Sequence, residues 1–478
     1  MYKLNGAKPA RVFHIFEEIS AIPRGSGNMK GIADYCVDFA QKNGLKFIRD
    51  KADNVIVFKS ATVGFENSDP IILQGHLDIV CQKTEESSID FQKVGLEVYI
   101  DGDFVKAKGT TLGADNGIAV AMIMAILESE DISHPEIQAV FTTDEEIGMI
   151  GATLLDVSPL TAKKMINLDS EELETVTVSC AGGCDFKATL NFERKEMKGD
   201  EIKVTLKGLK GGHSGICIHL GRKNANILMG RFLDFVNKNF DFGLVSVNGG
   251  DKGNAIPTMS EAVICAENSA EFSKLAEEYL NELKKEIAFR EPDFNFEITV
   301  NKEKVCSVIC EEAKENIIYA LLCCPDSVMQ MSAEIEGLVE TSLNLGILKT
   351  EGNSVFFNSA LRSNKKTALC ALEEKLITFF KKLHFEIETA GHYPPWEYNP
   401  NSVLREVYIE TFKEQFGSEP KVEAIHAGLE CGVFYDKIKD FDCIAIGPQL
   451  YDVHTPDERL SISSTEKMYK LLIEILRK

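Results

Sequence analysis

Short apolar runs alternate with helical segments through residues 1–185 of this 478-residue chain. The runs NVIVFK, PIILQGHLDIV, EIQAVF and AKKMINL have the length and the β-branched content of buried strands. The segment GIAVAMIMAILES lies between two of them and is typical of a closely packed helix rich in small residues. Alternation of this kind predicts an α/β domain with a mostly parallel sheet that is covered by helices.

The pattern changes after VSCAGGCDF. Residues 186–389 alternate apolar and polar positions, as half-exposed antiparallel strands do, and long helices lie between these stretches. The segment AGHYPPWEYNP marks a boundary by its prolines, and α/β character returns after it. We therefore predict a discontinuous main domain at residues 1–185 and 390–478, interrupted by an inserted α+β domain at residues 186–389.

Histidines and acids occur where the predicted strands end, although packing gives an apolar strand no reason to end in such groups. Ligands of open α/β sheets bind outside the carboxyl ends of the strands, so we expect these side chains to converge. Several carboxylates and two imidazoles would be poorly solvated there, and divalent cations would cancel the charge. The mixed nitrogen and oxygen donors suit zinc, with cobalt or manganese as alternatives. The residues are His76, Asp78, Asp115, Glu145, Glu146, Asp169 and His454.

Each of these groups also has an ordinary structural explanation. Asp115 and Asp169 could cap helices, and Glu145 and Glu146 could form a solvated helix start that the helix dipole favours. His454 could be an unremarkable loop histidine. Their joint occurrence at five strand ends or adjacent loops is what favours a metal centre over these separate explanations.

The order of these motifs resembles that of the co-catalytic two-zinc peptidases, which include aminoacylase, carboxypeptidase G, peptidase T and the carnosinases. The order is H-x-D, a lone Asp in a glycine-rich loop, Glu-Glu, Asp and a distant C-terminal His. The segments GADNGIAVA, VSCAGGCDF and HAGLECGVF resemble in particular the bacterial aminoacyl-histidine dipeptidases. The resemblance covers nearly the whole chain and implies a zinc-peptidase catalytic domain with an inserted lid domain.

The resemblance implies a role for each residue of the predicted centre. Asp115 would bridge two metal ions, and Asp78 would orient the ring of His76. Glu145 would be the general base that activates a metal-bridging water. The remaining ligands would be His76 and Asp169 for one ion, and Glu146 and His454 for the other.

Five further residues are candidate substrate contacts by the same resemblance. His213, in LKGGHSGI, would help to hold the scissile carbonyl, and Asn254, in GDKGNAIP, is a candidate polar contact. Arg362, in SALRSN, would clamp the substrate carboxylate. His426 and Glu430 lie in HAGLECG, and Glu430 could bind the substrate ammonium or could stabilise its own loop.

The function implied is a metallo-dipeptidase that hydrolyses Xaa-His and other short unblocked peptides. The alternatives are a related tripeptidase, aminoacylase or carboxypeptidase, or a catalytically silent peptide-binding protein on the same scaffold. In several relatives the lid histidine acts on the partner subunit's site, which implies a homodimer through the lid domain. The long insert leaves a monomer open, because some relatives with long lids act alone.

Composition restricts the partners and the compartment. Lys and Arg number 52 and Asp and Glu number 74, and the resulting charge of −22 argues against nucleic acid or an anionic membrane as partner. The start of the chain lacks the apolar core of a signal peptide, and no apolar run has the length of a membrane span. The thirteen scattered cysteines include CAGGC and CSVIC, which lack C-x-x-C spacing. We interpret them as free thiols of a cytoplasmic protein.

Overall fold

The computed structural model describes residues 2–478, and the chain divides into two compact units. The first unit comprises the residues up to Cys180 together with Tyr398–Ala424 and Leu429–Lys478, and the second comprises Ala181–Glu397 and Ile425–Gly428. The changeover points differ from the predicted 185 and 390. The reason is that the strands Gly182–Asn191 and Glu386–Tyr393 pair with each other in the sheet of the second unit.

An eight-stranded sheet is the centre of the first unit, and a separate four-stranded sheet accompanies it. The strands of these two sheets are β1 (Lys46–Arg49), β2 (Val55–Lys59), β3 (Ile71–His76), β4 (Val98–Asp101), β5 (Phe104–Ala107), β6 (Ile137–Thr142), β7 (Lys164–Asn167), β8 (Thr175–Cys180), β20 (Lys421–Ile425), β21 (Asp442–Ala445), β22 (Leu450–Tyr451) and β23 (Arg459–Ser461). The larger sheet has the order β1-β2-β6-β3-β7-β21-β8-β20, and the smaller has the order β22-β23-β5-β4.

The larger sheet is mixed. Its four central strands β6, β3, β7 and β21 are parallel neighbours, as predicted. One flank of the sheet is antiparallel, because β1 and β2 form an antiparallel hairpin and β2 runs antiparallel to β6. A short connection between two paired strands allows only the antiparallel arrangement, and β1 and β2 are joined by such a connection.

Helices of the first unit complete its core. They are α1 (Ala10–Ser20), α2 (Lys30–Lys42), α3 (Ala114–Glu128), α4 (Ile150–Leu154), α9 (Val403–Phe416), α10 (Glu430–Lys437) and α11 (Ile462–Leu476). Helix α3 packs against both α1 and β3, and it is buried on all sides from Asn116 to Leu127. A helix that is apolar on every face is stable only when it is surrounded in this way, and the small side chains of α3 allow the close approach.

The second unit is an antiparallel sheet with helices, as the prediction of an α+β insert requires. Its strands are β9 (Gly182–Asn191), β10 (Arg194–Lys207), β11 (Gly212–His213), β12 (Gly243–Gly249), β13 (Ala255–Ile256), β14 (Ser260–Ala266), β15 (Asn295–Ile309), β16 (Ser327–Met331), β17 (Val339–Glu351), β18 (Ser354–Ser363) and β19 (Glu386–Tyr393). Its helices are α5 (Ala225–Asn239), α6 (Ser269–Ile287), α7 (Glu311–Cys323) and α8 (Lys366–Lys382).

The nine-stranded sheet of this unit has the order β15-β10-β14-β12-β17-β18-β9-β19, with β16 paired to β17. Its apolar face and the four helices share one core, in which Phe186, Phe232, Phe272, Phe357 and Phe380 are fully buried. None of the helices in residues 2–478 combines the length and the apolar character that a membrane span requires.

Candidate active site

The predicted metal ligands come together at the carboxyl edge of the larger sheet in the first unit. His76 is the last residue of β3, Glu145 and Glu146 follow β6, and Asp169 follows β7. Because these three strands are parallel neighbours, their carboxyl ends meet at the same edge. Asp115 joins them from the start of α3, where its backbone angles are not helical. His454 comes from the loop between β22 and β23.

Two clusters of donor atoms share the carboxylate of Asp115. Its Oδ1 lies 3.2 Å from His76 Nε2, and that nitrogen lies 3.5 Å from Asp169 Oδ1. Its Oδ2 lies 3.0 Å from His454 Nε2, and that nitrogen lies 3.1 Å from Glu146 Oε1. In each cluster the three donor atoms lie within 4.8 Å of one another. Asp115 could therefore offer one oxygen to each of two adjacent cations.

The electrostatics of the two clusters show a strongly anionic centre. Burial lowers the pKa of His76, but the carboxylates of Asp169 and Asp115 outweigh it and raise that pKa well above its usual value. Hydrogen bonds to Asp115 and Glu146 raise the pKa of His454 to about 11. The site thus attracts positive charge to both imidazoles. Divalent cations on the same nitrogen and oxygen atoms would supply that charge, so the donor set fits two such ions.

Glu145 lies beside these clusters without being needed in either. Its carboxylate is within 4.8 Å of donor atoms of His76 and Glu146. Burial, followed by the charges of Asp169 and Glu430, raises the pKa of Glu145 well above its usual value. A carboxylate with a strong affinity for a proton at the edge of a metal centre is suited to general acid–base chemistry.

Asp78 contacts both His76 and the Glu145–Glu146 turn. Its two carboxylate oxygens accept hydrogen bonds from the backbone N–H groups of Glu145, at 3.0 Å, and Glu146, at 3.1 Å. The Nδ1 atom of His76 lies 3.1 Å from the backbone oxygen of Asp78 and 3.4 Å from its Oδ1. The contacts to the ring support the predicted orienting role, and the contacts to the turn add a second one. Asp78 holds the Glu145–Glu146 turn against the end of β3.

Glu458 is a buried acid of the site that the sequence analysis missed. Its carboxylate accepts four backbone N–H groups in a row, from Leu112 at 2.7 Å, Gly113 at 2.9 Å, Ala114 at 2.9 Å and Asp115 at 3.3 Å. These bonds fix the loop that delivers Asp115. The sequence TPDERL offered only an acid four residues after His454, which looks the same as a solvated surface acid.

Arg24 and Asn116 also support the site, through hydrogen bonds to the segments that carry the predicted ligands. The guanidinium of Arg24 is 2% exposed and donates to the carbonyl oxygens of Leu77, at 3.0 Å, and Gly113, at 2.6 Å. The side chain of Asn116 accepts from the N–H of His76 at 3.2 Å and donates to the oxygen of Leu168 at 2.8 Å. These contacts tie together the three chain segments that present His76, Asp115 and Asp169. His454 adds a non-glycine residue with a φ of +62°, a strained conformation that is typical of functional sites.

The predicted substrate contacts of the inserted domain lie in the second unit. His213 pairs with Ala255 between β11 and β13, next to Asn254. Its Nδ1 accepts hydrogen bonds from the N–H groups of Gly215 and Ile216, both at 3.2 Å. The proton of the ring is therefore on Nε2, which is a hydrogen-bond donor. Burial and the charge of Arg362 lower the pKa of His213, which favours the neutral form of the ring.

Arg362 is the cation of this polar region. Its Nη1 donates to the hydroxyl of Tyr393 at 3.0 Å, and within residues 2–478 its buried Nε has no hydrogen-bond partner. Burial, and then the charge of Arg362, lower the pKa of His426 to about 3. Both ring nitrogens of His426 are engaged, with Ser342 Oγ at 2.7 Å and Asn364 Oδ1 at 3.1 Å. This favours a supporting role for His426 over a direct contact with substrate.

Glu430 lies inside the first unit at the start of α10 and is fully buried. Its Oε2 accepts hydrogen bonds from Gln74 Nε2 at 2.5 Å and Thr142 Oγ1 at 2.7 Å. Burial raises the pKa of Glu430 to about 7. Of the two roles considered for Glu430, these contacts favour stabilisation of the chain around it over binding of a substrate ammonium.

Comparisons with known proteins show what this chain is similar to. The family model described as Peptidase family M20/M25/M40 matches residues 72–478. The cytosol non-specific dipeptidase of Escherichia coli (strain K12) is 37% identical over the whole of this chain and 99% of its own length. The crystal structure of aminoacylhistidine dipeptidase from Vibrio alginolyticus has a TM-score of 0.91 and 36% identity, covering 99% of this chain and 97% of that one.

A more distant structure shares the fold. Aminopeptidase PepT from Bacillus cereus has a TM-score of 0.56 and 15% identity, covering 98% of both chains. Together the matches confirm the predicted family and its α/β fold.

Proposed function

Because the chain belongs to Peptidase family M20/M25/M40, we propose that it is a metal-dependent dipeptidase that hydrolyses short unblocked peptides. One observation carries the proposal. Two clusters of histidine and carboxylate donors share Asp115, and the buried carboxylate of Glu145 lies beside them. This arrangement supports two cation sites with an adjacent proton acceptor.

The substrates that we propose are dipeptides, with Xaa-His peptides among the preferred ones. The names of two relatives that match over nearly their full length support this choice: one is an aminoacylhistidine dipeptidase and the other a non-specific dipeptidase. We also propose that the protein acts in the cytoplasm, which agrees with the name of the E. coli relative. A homodimer formed through the second unit remains part of the proposal.

The donor set supports the following proposal for the metal ligands. His76 and Asp169 would hold one ion, Glu146 and His454 the other, and Asp115 both. We propose zinc, with cobalt or manganese as alternatives that the same nitrogen and oxygen donors accept. A pair of divalent cations in such a site stabilises negative charge that develops on the scissile carbonyl and makes water more acidic.

The chain's own residues move the proton. We propose that Glu145 takes a proton from the attacking water and delivers it to the nitrogen of the leaving amino acid. Burial and the neighbouring acids give its carboxylate the required affinity for a proton. Asp78 would keep the backbone of Glu145 in place by accepting its N–H at 3.0 Å.

The second unit would contribute substrate recognition. His213 has a fixed Nε2–H donor and a neutral ring, which suits a hydrogen bond to the oxygen of the scissile carbonyl. Arg362 has an unpaired buried Nε within the described residues 2–478, and its planar fork suits the carboxylate of the peptide. Asn254 is exposed beside the His213 strand and would add a polar contact.

Glu145→Gln tests the proposal directly. We expect hydrolysis of β-Ala-His to fall by at least about a hundredfold, in line with the loss of a general base, while the zinc content stays at the wild-type value. Glu130→Gln, which neutralises an exposed acid of the same unit, is the matched control and should leave both properties unchanged. Undiminished turnover in Glu145→Gln would show that another group is the base.

A substrate panel tests the specificity. We expect faster hydrolysis of β-Ala-His and Ala-His than of Leu-Gly-Gly or an N-acetyl amino acid. Preference for Leu-Gly-Gly would indicate a tripeptidase, and preference for the N-acetyl compound would indicate an aminoacylase. No hydrolysis of any of them by the zinc-loaded protein would instead support a peptide-binding protein on this scaffold.

A further inference from the structure

Three potential metal ligands meet in the second unit, within a part of the chain separate from the proposed dipeptidase centre. They are Cys184 on β9, Glu373 on α8 and His392 on β19. One donor atom from each lies within 4.8 Å of the other two, and His392 Nε2 is 3.0 Å from Glu373 Oε1. We propose that these three side chains form a zinc site that clamps the edge strand β19 to helix α8.

The backbone places His392 on the same side of the sheet as Cys184 by means of a bulge. Ala390 pairs with Asp185 and Tyr393 pairs with Gly183, so both Gly391 and His392 lie opposite Cys184. Gly391 has a φ of +63°, the left-handed conformation that the extra residue of a bulge often adopts. Without this extra residue, position 392 would lie opposite Gly183 and would face away from Cys184, because side chains alternate along a strand.

Helix α8 supplies the third donor, Glu373. It packs against both β9 and β19, and Leu372 and Leu376 enter the same core as Cys184. Glu373 follows Leu372, and its side chain is 17% exposed, against 50% for His392. Cys184 is 4% exposed. The cluster is therefore anchored in the core at its thiol and open to solvent at its imidazole, which gives an ion a path of entry.

The donor chemistry selects zinc over the hard cations. A thiolate, an imidazole and a carboxylate form a set that zinc accepts in tetrahedral sites, whereas magnesium and calcium prefer oxygen donors. Three protein donors leave a fourth position for water. Binding would break the S–H bond of Cys184, form a zinc–sulfur bond and release the proton to solvent.

The position of the cluster indicates what the ion would do. Strand β19 is at the edge of the nine-stranded sheet and, within the described residues 2–478, pairs only with β9. An edge strand has one free side and depends on few neighbours for its stability. An ion held by β9, β19 and α8 would fasten that edge to the helix that covers it, so zinc would stabilise the second unit.

Cobalt provides a probe that separates this site from the dipeptidase centre. Within residues 2–478 the other potential metal clusters contain only histidine and carboxylate donors, so a cobalt–sulfur charge-transfer band in the near ultraviolet would report on Cys184 alone. Metal-free protein is titrated with Co²⁺ in the presence of a phosphine reductant. We expect wild type to develop this band and to bind one more zinc ion per chain than Cys184→Ser.

The variants make the result decisive. Cys184→Ser should abolish the band, and His392→Ala should weaken the site by at least about tenfold, since even residues that only support a ligand contribute that much. Cys323→Ser, which removes an exposed thiol on α7, should leave the band unchanged. Far-ultraviolet circular dichroism establishes that each variant is folded.

Two results would overturn the proposal. One is the absence of a thiolate band in folded, cobalt-saturated wild type, as expected if Glu373 and His392 form only a surface ion pair beside a buried thiol. The other is a band that persists in Cys184→Ser. Either result leaves hydrolysis of β-Ala-His at the first unit unaffected, so the two proposals fail separately.

Discussion

The substitution Glu458→Gln measures how strongly the Asp115 loop depends on one buried carboxylate. Each oxygen of Glu458 accepts two backbone N–H groups: Oε2 from Leu112 and Gly113, and Oε1 from Ala114 and Asp115. A glutamine has the same shape, but one of its two terminal atoms is an NH₂ group. In either orientation of the amide, that group faces two backbone donors and leaves both unsatisfied.

The expected loss in the free energy of unfolding follows from these hydrogen bonds. A hydrogen bond to a charged group contributes about 1.5–3 kcal/mol, so the loss of two lowers the free energy of unfolding by about 3–6 kcal/mol. Such a loss is a large fraction of the roughly 5–15 kcal/mol that stabilises a typical protein. The loss falls on the loop that presents Asp115, so we expect weaker zinc binding in the first unit as well as lower stability.

The assay is urea unfolding of the metal-free protein, followed by far-ultraviolet circular dichroism, together with zinc competition against a chelator. Asp457→Asn is the matched control, because it removes the same charge from the neighbouring, exposed position. Its stability should change by no more than about 0.5 kcal/mol. If Glu458→Gln unfolds at the same urea concentration as this control and binds zinc equally well, the four hydrogen bonds do not support the site as argued.

Three further perturbations test other parts of the account. Arg362→Lys should raise KM for dipeptides by about tenfold, because lysine lacks the planar guanidinium fork. A dipeptide amide lacks the carboxylate, so its KM should be the same as with wild type. An equal effect on both substrates would argue against carboxylate binding. Burial raises the pKa of Asp326 to about 7, so the folded chain holds a proton that the unfolded chain releases, and wild type should lose stability as the pH rises from about 4 to about 7. Asp326→Asn should remove the contribution of this one carboxyl, so stability in urea titrations should fall less steeply with pH than in wild type, and an unchanged slope would contradict the argument. In Gly75→Ala the added Cβ would lie 2.5 Å from Asn116 Oδ1, so we expect a loss of about 1–3 kcal/mol in urea unfolding, and a neutral effect would show that β3 and α3 can move apart.

Much of the fold could be predicted because the relevant patterns are local. The central strands β3, β6 and β7 are short apolar runs between helical segments, and their parallel order follows from that alternation. The antiparallel pairing of β2 with β6 could not be predicted in the same way, because β6 lies far along the chain from β2. The register of β9 and β19 likewise depends on a pairing between residues about two hundred positions apart.

The site residues also differ in whether a local sequence pattern reveals them. His76, Glu146 and Asp169 were found because each follows an apolar run closely, so a local pattern reveals them. Glu458 and Arg24 act through backbone groups of distant loops, and neither has a distinctive local pattern. Their roles follow only from the path of the chain in three dimensions.

The cluster of Cys184, Glu373 and His392 is the extreme case of this difference. Its three residues come from separate elements, and one of them is turned to the correct side only by the bulge at Gly391. Spacing in the sequence carries no information about such a grouping. From the sequence, the segment CAGGC is expected to contain ordinary free thiols, and the titration with cobalt decides between that interpretation and a zinc site.

The central claim is that Asp115 joins two cation sites on which hydrolysis depends. Zinc content and β-Ala-His hydrolysis are best measured in the Cys184→Ser background, where the thiol-containing cluster cannot contribute. We predict two zinc ions per chain and full activity in that background, matching the two clusters that share Asp115, and the loss of both ions and of activity when Asp115→Asn is added. Retention of both ions, or undiminished hydrolysis after Asp115→Asn, would contradict the claim.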